Sequence, residues 1–177
     1  MATLEKALLG GGCFWCIEAV YNRVNGVQSA ISGYAGGLRK NPSYEQVCTG
    51  ASGHAEVIEI TYDTDIISYG EILEIFWALH DPTTLNAQGA DQGTQYRSVI
   101  YYYNEEQKKI AKESIESAQA HWNDPIVTEL SSVPEFYPAE EYHQNYYNEH
   151  PTQGYCYAVI APKIEKFMRK FGDKVKK

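Results

Sequence analysis

The sequence predicts an α/β protein, a two-layer ferredoxin-like sandwich with additional helices and a long irregular C-terminal segment. Three observations carry this. Strand-like and helical periodicities follow the order β-α-β-β-α-β through residue 103, that of a split βαβ unit. Two more helical stripes come after it. The stretch between those two, "SSVPEFYPAEEYHQNYYNEHPTQGYC", is loop-rich.

The elements are justified in turn. "KALLG" (6–10) reads as a short buried strand that stops at Gly10–Gly12. Ile17, Val20, Tyr21 and Val24 then fall at i, i+3, i+4 and i+7, an amphipathic helix ending near Asn25–Gly26. "VQSAISGY" (27–34) is a second strand, and residues 35–54, rich in Gly, Ser, Asn and Pro, read as a long functional loop. "AEVIEITY" (55–62) is a third strand. Ile72, Ile75, Phe76 and Leu79 mark a second helix stopped by "HDPTT", and "RSVIYYY" (97–103) is a fourth strand. Asn104 caps a third helix whose stripe is Ala111, Ile115, Ala118 and Trp122. Ile164, Phe167, Met168 and Phe171 form a last amphipathic helix after Pro162. With no repeat, low-complexity tract or linker, residues 1–177 read as one domain.

Composition narrows the function. A formal net charge of −8 argues against nucleic acid as a partner, the basic tail being too short to outweigh the rest. No apolar run approaches a membrane span, and "MATLEKALLG" lacks the parts of a signal peptide. The expected location is cytoplasmic, where four cysteines read as reactive, metal-bound or buried rather than as a disulfide framework. Fifteen tyrosines against five phenylalanines point to a site built from phenolic hydrogen bonds, or to tyrosine at the surface.

The chemistry concentrates in "GGGCFWCIEA". Cys13 falls at a strand-to-helix junction, where unpaired N–H groups and the helix dipole favour a thiolate. The glycines allow close approach, and Phe14 and Trp15 supply an apolar wall. The plainer reading is a buried helix-start cysteine with two core aromatics. In the third strand Glu56 shares a face with Ile58, Ile60 and Tyr62, so its carboxyl is desolvated and suited to act as a general acid. A register slip of one residue would instead expose Glu56 and bury Val57. An ionisable thiol, an aromatic wall and a neutral carboxylic acid suit attack on a sulfoxide sulfur whose oxygen is being protonated.

Other readings stand beside this one. A thioredoxin-like exchanger also has CxxC at a helix start, but Phe-Trp between the cysteines is bulky and the strand order differs. The CxxC as half a zinc site would have to recruit Cys48, Cys156, His54 or His143 from loops. A Cys–His hydrolase needs one of His54, His80, His121, His143 or His150 as base, and none has a local signature. His80 in "HDP" reads more simply as a helix-end cap, and Cys48 as a buried thiol.

"GGGCFWCIE", "GYAGG", "NPSYEQVCTGASGHAE", "FWALHDPTTLNAQGADQGTQYRSVIYY", "FYPAEEYHQNY" and "GYC" follow one another in an order that resembles the peptide methionine sulfoxide reductase A family over roughly residues 5–165. The resemblance implies reduction of the S-epimer of methionine sulfoxide, free or in proteins, without metal or organic cofactor and with thioredoxin as reductant. It implies Cys13 as nucleophile, Phe14 and Trp15 as the pocket for the substrate methyl, and Glu56 as the acid. Tyr44 and Tyr96 resemble the phenols that bind the sulfoxide oxygen, and Asp91 the acidic residue near substrate and water. Cys156 resembles the resolving cysteine and Tyr155 a pocket aromatic. Cys16 departs from the glycine of many members, and relatives with GCFWC often lack a cysteine like Cys156. Two resolvers therefore compete.

Overall fold

The computed structural model describes residues 3–38, 40–50, 52–88, 91–150, 153–154 and 156–176, with only the backbone of Asp91, Cys156 and Tyr157. The chain runs β1 (Leu4–Gly10), α1 (Phe14–Tyr21), β2 (Val27–Ala35), α2 (Tyr44–Cys48), β3 (Ala55–Asp63), α3 (Tyr69–Leu79), β4 (Ala87–Gln88) and β5 (Asp91–Gln92). It continues with β6 (Val99–Tyr102), α4 (Glu105–Gln119), β7 (Glu129–Ser132), β8 (Phe136–Pro138), α5 (Tyr146–Glu149) and α6 (Ala161–Lys170). The result is a mixed α/β fold.

Among the described residues six strands form one sheet in the order β7-β6-β1-β3-β2-β8, and β4 pairs with β5 separately. Every pair in the large sheet is antiparallel except β6–β7, the parallel pair for which α4 provides the crossover. On one face Ala7, Leu9, Ile58, Ile60 and Ile100 pack with α1, α3 and α6 in the main core. On the other, Leu8, Ala35, Val57, Val99 and Tyr101 form a smaller cluster flanked by Tyr103, Val133 and Phe136. Both Glu56 and Val57 are therefore buried, and the choice between them posed by the strand pattern disappears.

Local chemistry explains where the expected elements shift. The 35–54 loop contains α2, started by a capping box in which Ser43 Oγ accepts from Gln46 N–H and Gln46 Oε1 from Ser43 N–H. The first helix stops at Tyr21, where the chain tightens into turns (Arg23 N–H to Val20 O, Val24 N–H to Tyr21 O) and Val24 bridges to Val175 instead. Asn104 caps α4 as expected, accepting from Gln107 N–H, but the helix ends before Trp122. There the Gln119 side chain turns onto the Trp122 and Asp124 carbonyls. A π-helical turn, Cys156–Ile160, leads into α6, which buries Ile164 and Phe167 but leaves Met168 exposed. Among the described residues no helix is long and apolar enough to cross a membrane.

Candidate active site

The site forms where β1 ends and α1 begins. A Cβ on Gly10 would meet the Glu56 carbonyl at 2.8 Å, and one on Gly11 the His80 ring at 2.9 Å, so only bare backbone fits here. Gly12, at φ +91°, turns the chain into the helix, and its N–H donates to the Tyr96 carbonyl at 3.2 Å. Cys13 is the N-cap of α1.

Glu56 lies at the start of the central strand β3, opposite Tyr34, on the face covered by α1, and is 1% exposed. The first amide of the helix, Phe14 N–H, donates to its Oε1 at 3.1 Å. The carboxyl thus occupies an anion position at the helix N-terminus, beside the Cys13 thiol.

The expected low thiol pKa is not what this arrangement produces. Burial pushes the Cys13 thiol well above its ordinary value, and its hydrogen bond with Cys16 and the charge of Glu56 push the same way. The helix end favours an anion, but Glu56 already takes the first amide. The dipole argument is local, whereas desolvation and the neighbouring carboxylate come from the tertiary fold. Free Cys13 is a protonated thiol at neutral pH.

Aromatic rings wall the thiol. Phe14 packs against Tyr34 and Tyr44, with centroids 5.7 and 6.3 Å away, and Trp15 lies 6.5 Å from Tyr44. Trp15 stacks on Tyr146 at 3.8 Å, and its Nε1–H donates to His143 Nδ1 at 3.0 Å. That contact leaves the proton of neutral His143 on Nε2. Burial holds His143 below the usual imidazole range. Burial raises the Tyr44 phenol, with Glu56 adding to the effect, so Tyr44 stays a neutral donor.

Sequence reasoning missed Glu140. Its carboxylate accepts from Tyr34 Oη at 2.9 Å and from Tyr44 N–H at 3.0 Å, tying two rings of the wall together. Burial opposes its ionisation, but these donors prevail and hold it below the ordinary carboxylate value. The only signal was its place in the "FYPAEEYHQNY" motif. The sequence offers His143 as a base or a zinc ligand, whereas the structure makes it the partner of the Trp15 indole. The groups acting on Cys13 among the described residues are Cys16, Glu56 and the Trp15 backbone, none of them a histidine.

The fold thus brings together Cys13, Phe14, Trp15, Cys16, Tyr44 and Glu56, with the Tyr96 backbone tied to Gly12. Asp91 pairs with Gln88 through β4 and β5, and Cys156 opens the π-helical turn that packs against α1. The side chains of Asp91 and Cys156, and all of Tyr155, lie outside the described residues. Cys48 is exposed rather than buried, with its thiol hydrogen-bonded to Tyr44. Among the described residues no group of three or more His, Cys, Asp or Glu is placed to hold a metal ion.

The family model described as peptide methionine sulfoxide reductase matches residues 5–175. A peptide methionine sulfoxide reductase MsrA of Leptospira borgpetersenii is 60% identical over 174 residues, 98% of each chain. Its namesake from Polynucleobacter asymbioticus is 58% identical over 97% of this chain and 91% of its own. Among solved structures, reduced Mxr1 from Saccharomyces cerevisiae superposes with a TM-score of 0.80 at 34% identity, covering 86% of this chain and 89% of that one. The same yeast protein in complex with Trx2 gives a TM-score of 0.57 at 25% identity, covering 78% and 82%.

Proposed function

The chain belongs to the peptide methionine sulfoxide reductase family, and on that premise we propose how its residues carry the reaction. It is an oxidoreductase that reduces methionine sulfoxide to methionine with electrons from thiols. The observation that carries the residue assignment is the Phe14 amide bond to Glu56, which sets a buried carboxyl beside the Cys13 sulfur. The Cys13 thiol proton passes to the Glu56 carboxylate, and Cys13 Sγ attacks the sulfoxide sulfur while Glu56 delivers that proton to the oxygen. The sulfoxide S–O bond breaks, the transient bond between the two sulfurs breaks as hydroxide adds to Cys13 Sγ, and the substrate sulfur gains the two electrons that Cys13 loses. Methionine leaves, and Cys13 is a sulfenic acid.

Tyr44 and Tyr96 hydrogen-bond the sulfoxide oxygen, Phe14, Trp15 and Tyr155 hold the methyl group, and Asp91 orders water and substrate. Cys156 condenses with the sulfenic acid to a disulfide and water, and thioredoxin reduces that disulfide by exchange. The family's GYC motif and the packing of the Cys156 turn on α1 favour Cys156. The thiol contact of Cys16 with Cys13 supports Cys16 as the alternative. The solved complex of the yeast relative with Trx2 supports thioredoxin as reductant. The strand order β6-β1-β3-β2 supports the ferredoxin-like reading of the four central strands. The unbroken family match over 5–175 supports a single domain, and the thiols of Cys13, Cys16 and Cys48 support a cytoplasmic location.

The test is turnover of the separate S- and R-sulfoxide epimers with dithiothreitol. The wild type is expected to consume only the S-epimer, and Cys13→Ser neither. Substantial activity in Cys13→Ser refutes the mechanism. With thioredoxin instead, Cys156→Ser should release one methionine per enzyme and stop, while Cys16→Ser keeps cycling. The reverse pattern makes Cys16 the resolver.

A further inference from the structure

We propose that Glu18 is a positioning residue: from one turn further along α1, it holds the chain turn at Asn145 that clamps the Trp15 indole. Trp15 and Glu18 are three residues apart and share a helix face. Trp15 is gripped on its edge by His143 Nδ1, at 3.0 Å from Nε1, and on its face by Tyr146, whose ring lies 3.8 Å away with 7° between the planes. His143 and Tyr146 flank Asn145, a non-glycine residue in the left-handed region at φ 57°. The Asn145 N–H donates to Glu18 Oε1, so the carboxylate fixes the residue about which both grips turn.

The other end of the device is equally built. Ser32 Oγ–H donates to Glu18 Oε2 at 2.7 Å, anchoring the carboxylate to β2. The Gln144 side-chain amide pairs with Ser32 as a strand peptide would, accepting from its N–H and donating to its C=O, both at 2.9 Å. Glu18 is buried, and among the described residues no ion pair reaches it. Burial raises its pKa against the pull of Ser32 and Asn145. A buried carboxylate without a cation contributes little to stability, which makes geometry its better explanation.

The inference rests on the proposed place of Trp15 in the methyl pocket, and its two readouts separate the two ideas. The full chain is labelled with ¹⁵N, and the indole signals of Trp15, Trp77 and Trp122 are followed, Trp15 being assigned by its loss in Trp15→Phe. Glu18→Ala should accelerate exchange of the Trp15 indole proton roughly tenfold or more, because its protection depends on the clamp. KM for methionine sulfoxide should rise roughly tenfold, with kcat under dithiothreitol changed less than about threefold, the pattern of lost uniform binding. Glu18→Met keeps the volume, loses both acceptors and serves where the alanine variant fails to fold. Glu18→Gln keeps an acceptor for Asn145 and a partner for Ser32, and should restore both readouts. Deprotected Trp15 with unchanged KM supports the positioning role and overturns the pocket assignment. Trp15 protected as in wild type in folded Glu18→Ala or Glu18→Met, whatever the melting temperature, overturns the positioning role.

Discussion

At the first turn of α1, the Glu56 carboxylate takes the Phe14 amide that would otherwise face the Cys13 sulfur. One negative charge there excludes a second, so the carboxyl that serves as acid also keeps the resting nucleophile protonated. A thiol with a raised pKa is protected from adventitious oxidants, which react with thiolates. Glu56→Gln separates the two roles. Without the charge the thiol pKa falls, so the pH profile of iodoacetamide alkylation at Cys13 should move toward lower pH. Sulfoxide turnover should fall by about 10²–10⁴-fold, the usual worth of a general acid. The two measurements move in opposite directions, and an unchanged thermal melt separates this from loosening of the fold. An alkylation profile that stays in place, or turnover at the wild-type rate, refutes the pairing. Alternation along "AEVIEITY" was enough to place Glu56 on the helix side, but the upward push on the Cys13 thiol was not legible. It depends on burial and on a carboxylate more than forty residues away.

Elements built on periodicity were legible for the same reason they are stable: each has a face that must be buried. The strands 4–10, 27–35 and 55–63 and the helix 69–79 follow that rule, with boundaries close to those the pattern suggests. Residues 129–149 were not legible, because that segment docks through polar side chains rather than an apolar stripe. Gln144 takes the place of a strand on Ser32, and Glu140 ties Tyr34 to Tyr44. Such contacts have no period. The segment hangs from β8, whose pairing with Gly33–Ala35 depends on a missing side chain. A Cβ on Gly33 would fall 2.4 Å from the Phe136 ring and 2.6 Å from the Tyr137 carbonyl. Gly33→Ala should therefore push β8 off the sheet edge at a cost of about 1–3 kcal/mol, the usual range for overpacking. It should also raise KM, because Ala139, which donates to Ser32 O at 2.9 Å, leads directly into Glu140 and His143. Gly172→Ala, with nothing within 4 Å of the added carbon, is the control. Urea unfolding and steady-state kinetics on the two variants decide the matter, and equal behaviour removes β8 as the hanger.

At the scale of the whole molecule, acid stability turns on a buried imidazole that takes no part in the chemistry. His80 Nδ1 lies 2.8 Å from the Phe76 carbonyl and Nε2 lies 2.7 Å from Ser98 Oγ, which in turn lies 2.8 Å from Thr128 Oγ1. A carbonyl only accepts, so Nδ1 carries the proton and Nε2 accepts from the serine. The ring also backs Gly11, linking α3, β6 and the glycine turn before Cys13. Burial lowers its pKa from 6.5 to about 4. The sign follows from linkage: between those values the unfolded chain binds the proton and the folded one does not. The contribution of His80 is therefore intact above about pH 6.5 and is lost as pH falls toward 4. At 1.36 kcal/mol per unit this amounts to about 3 kcal/mol. Glu18 acts in the opposite sense, because its raised pKa favours the folded state as it protonates, so the total slope mixes the two. The difference between wild type and His80→Gln isolates the imidazole. The variant should be less stable at pH 7, having lost one of two hydrogen bonds, but its stability relative to wild type should rise by about 3 kcal/mol on acidification to pH 4, reversing the order. Urea unfolding of both proteins across that range measures it. A gap that stays constant would mean that His80 titrates alike in the folded and unfolded chains.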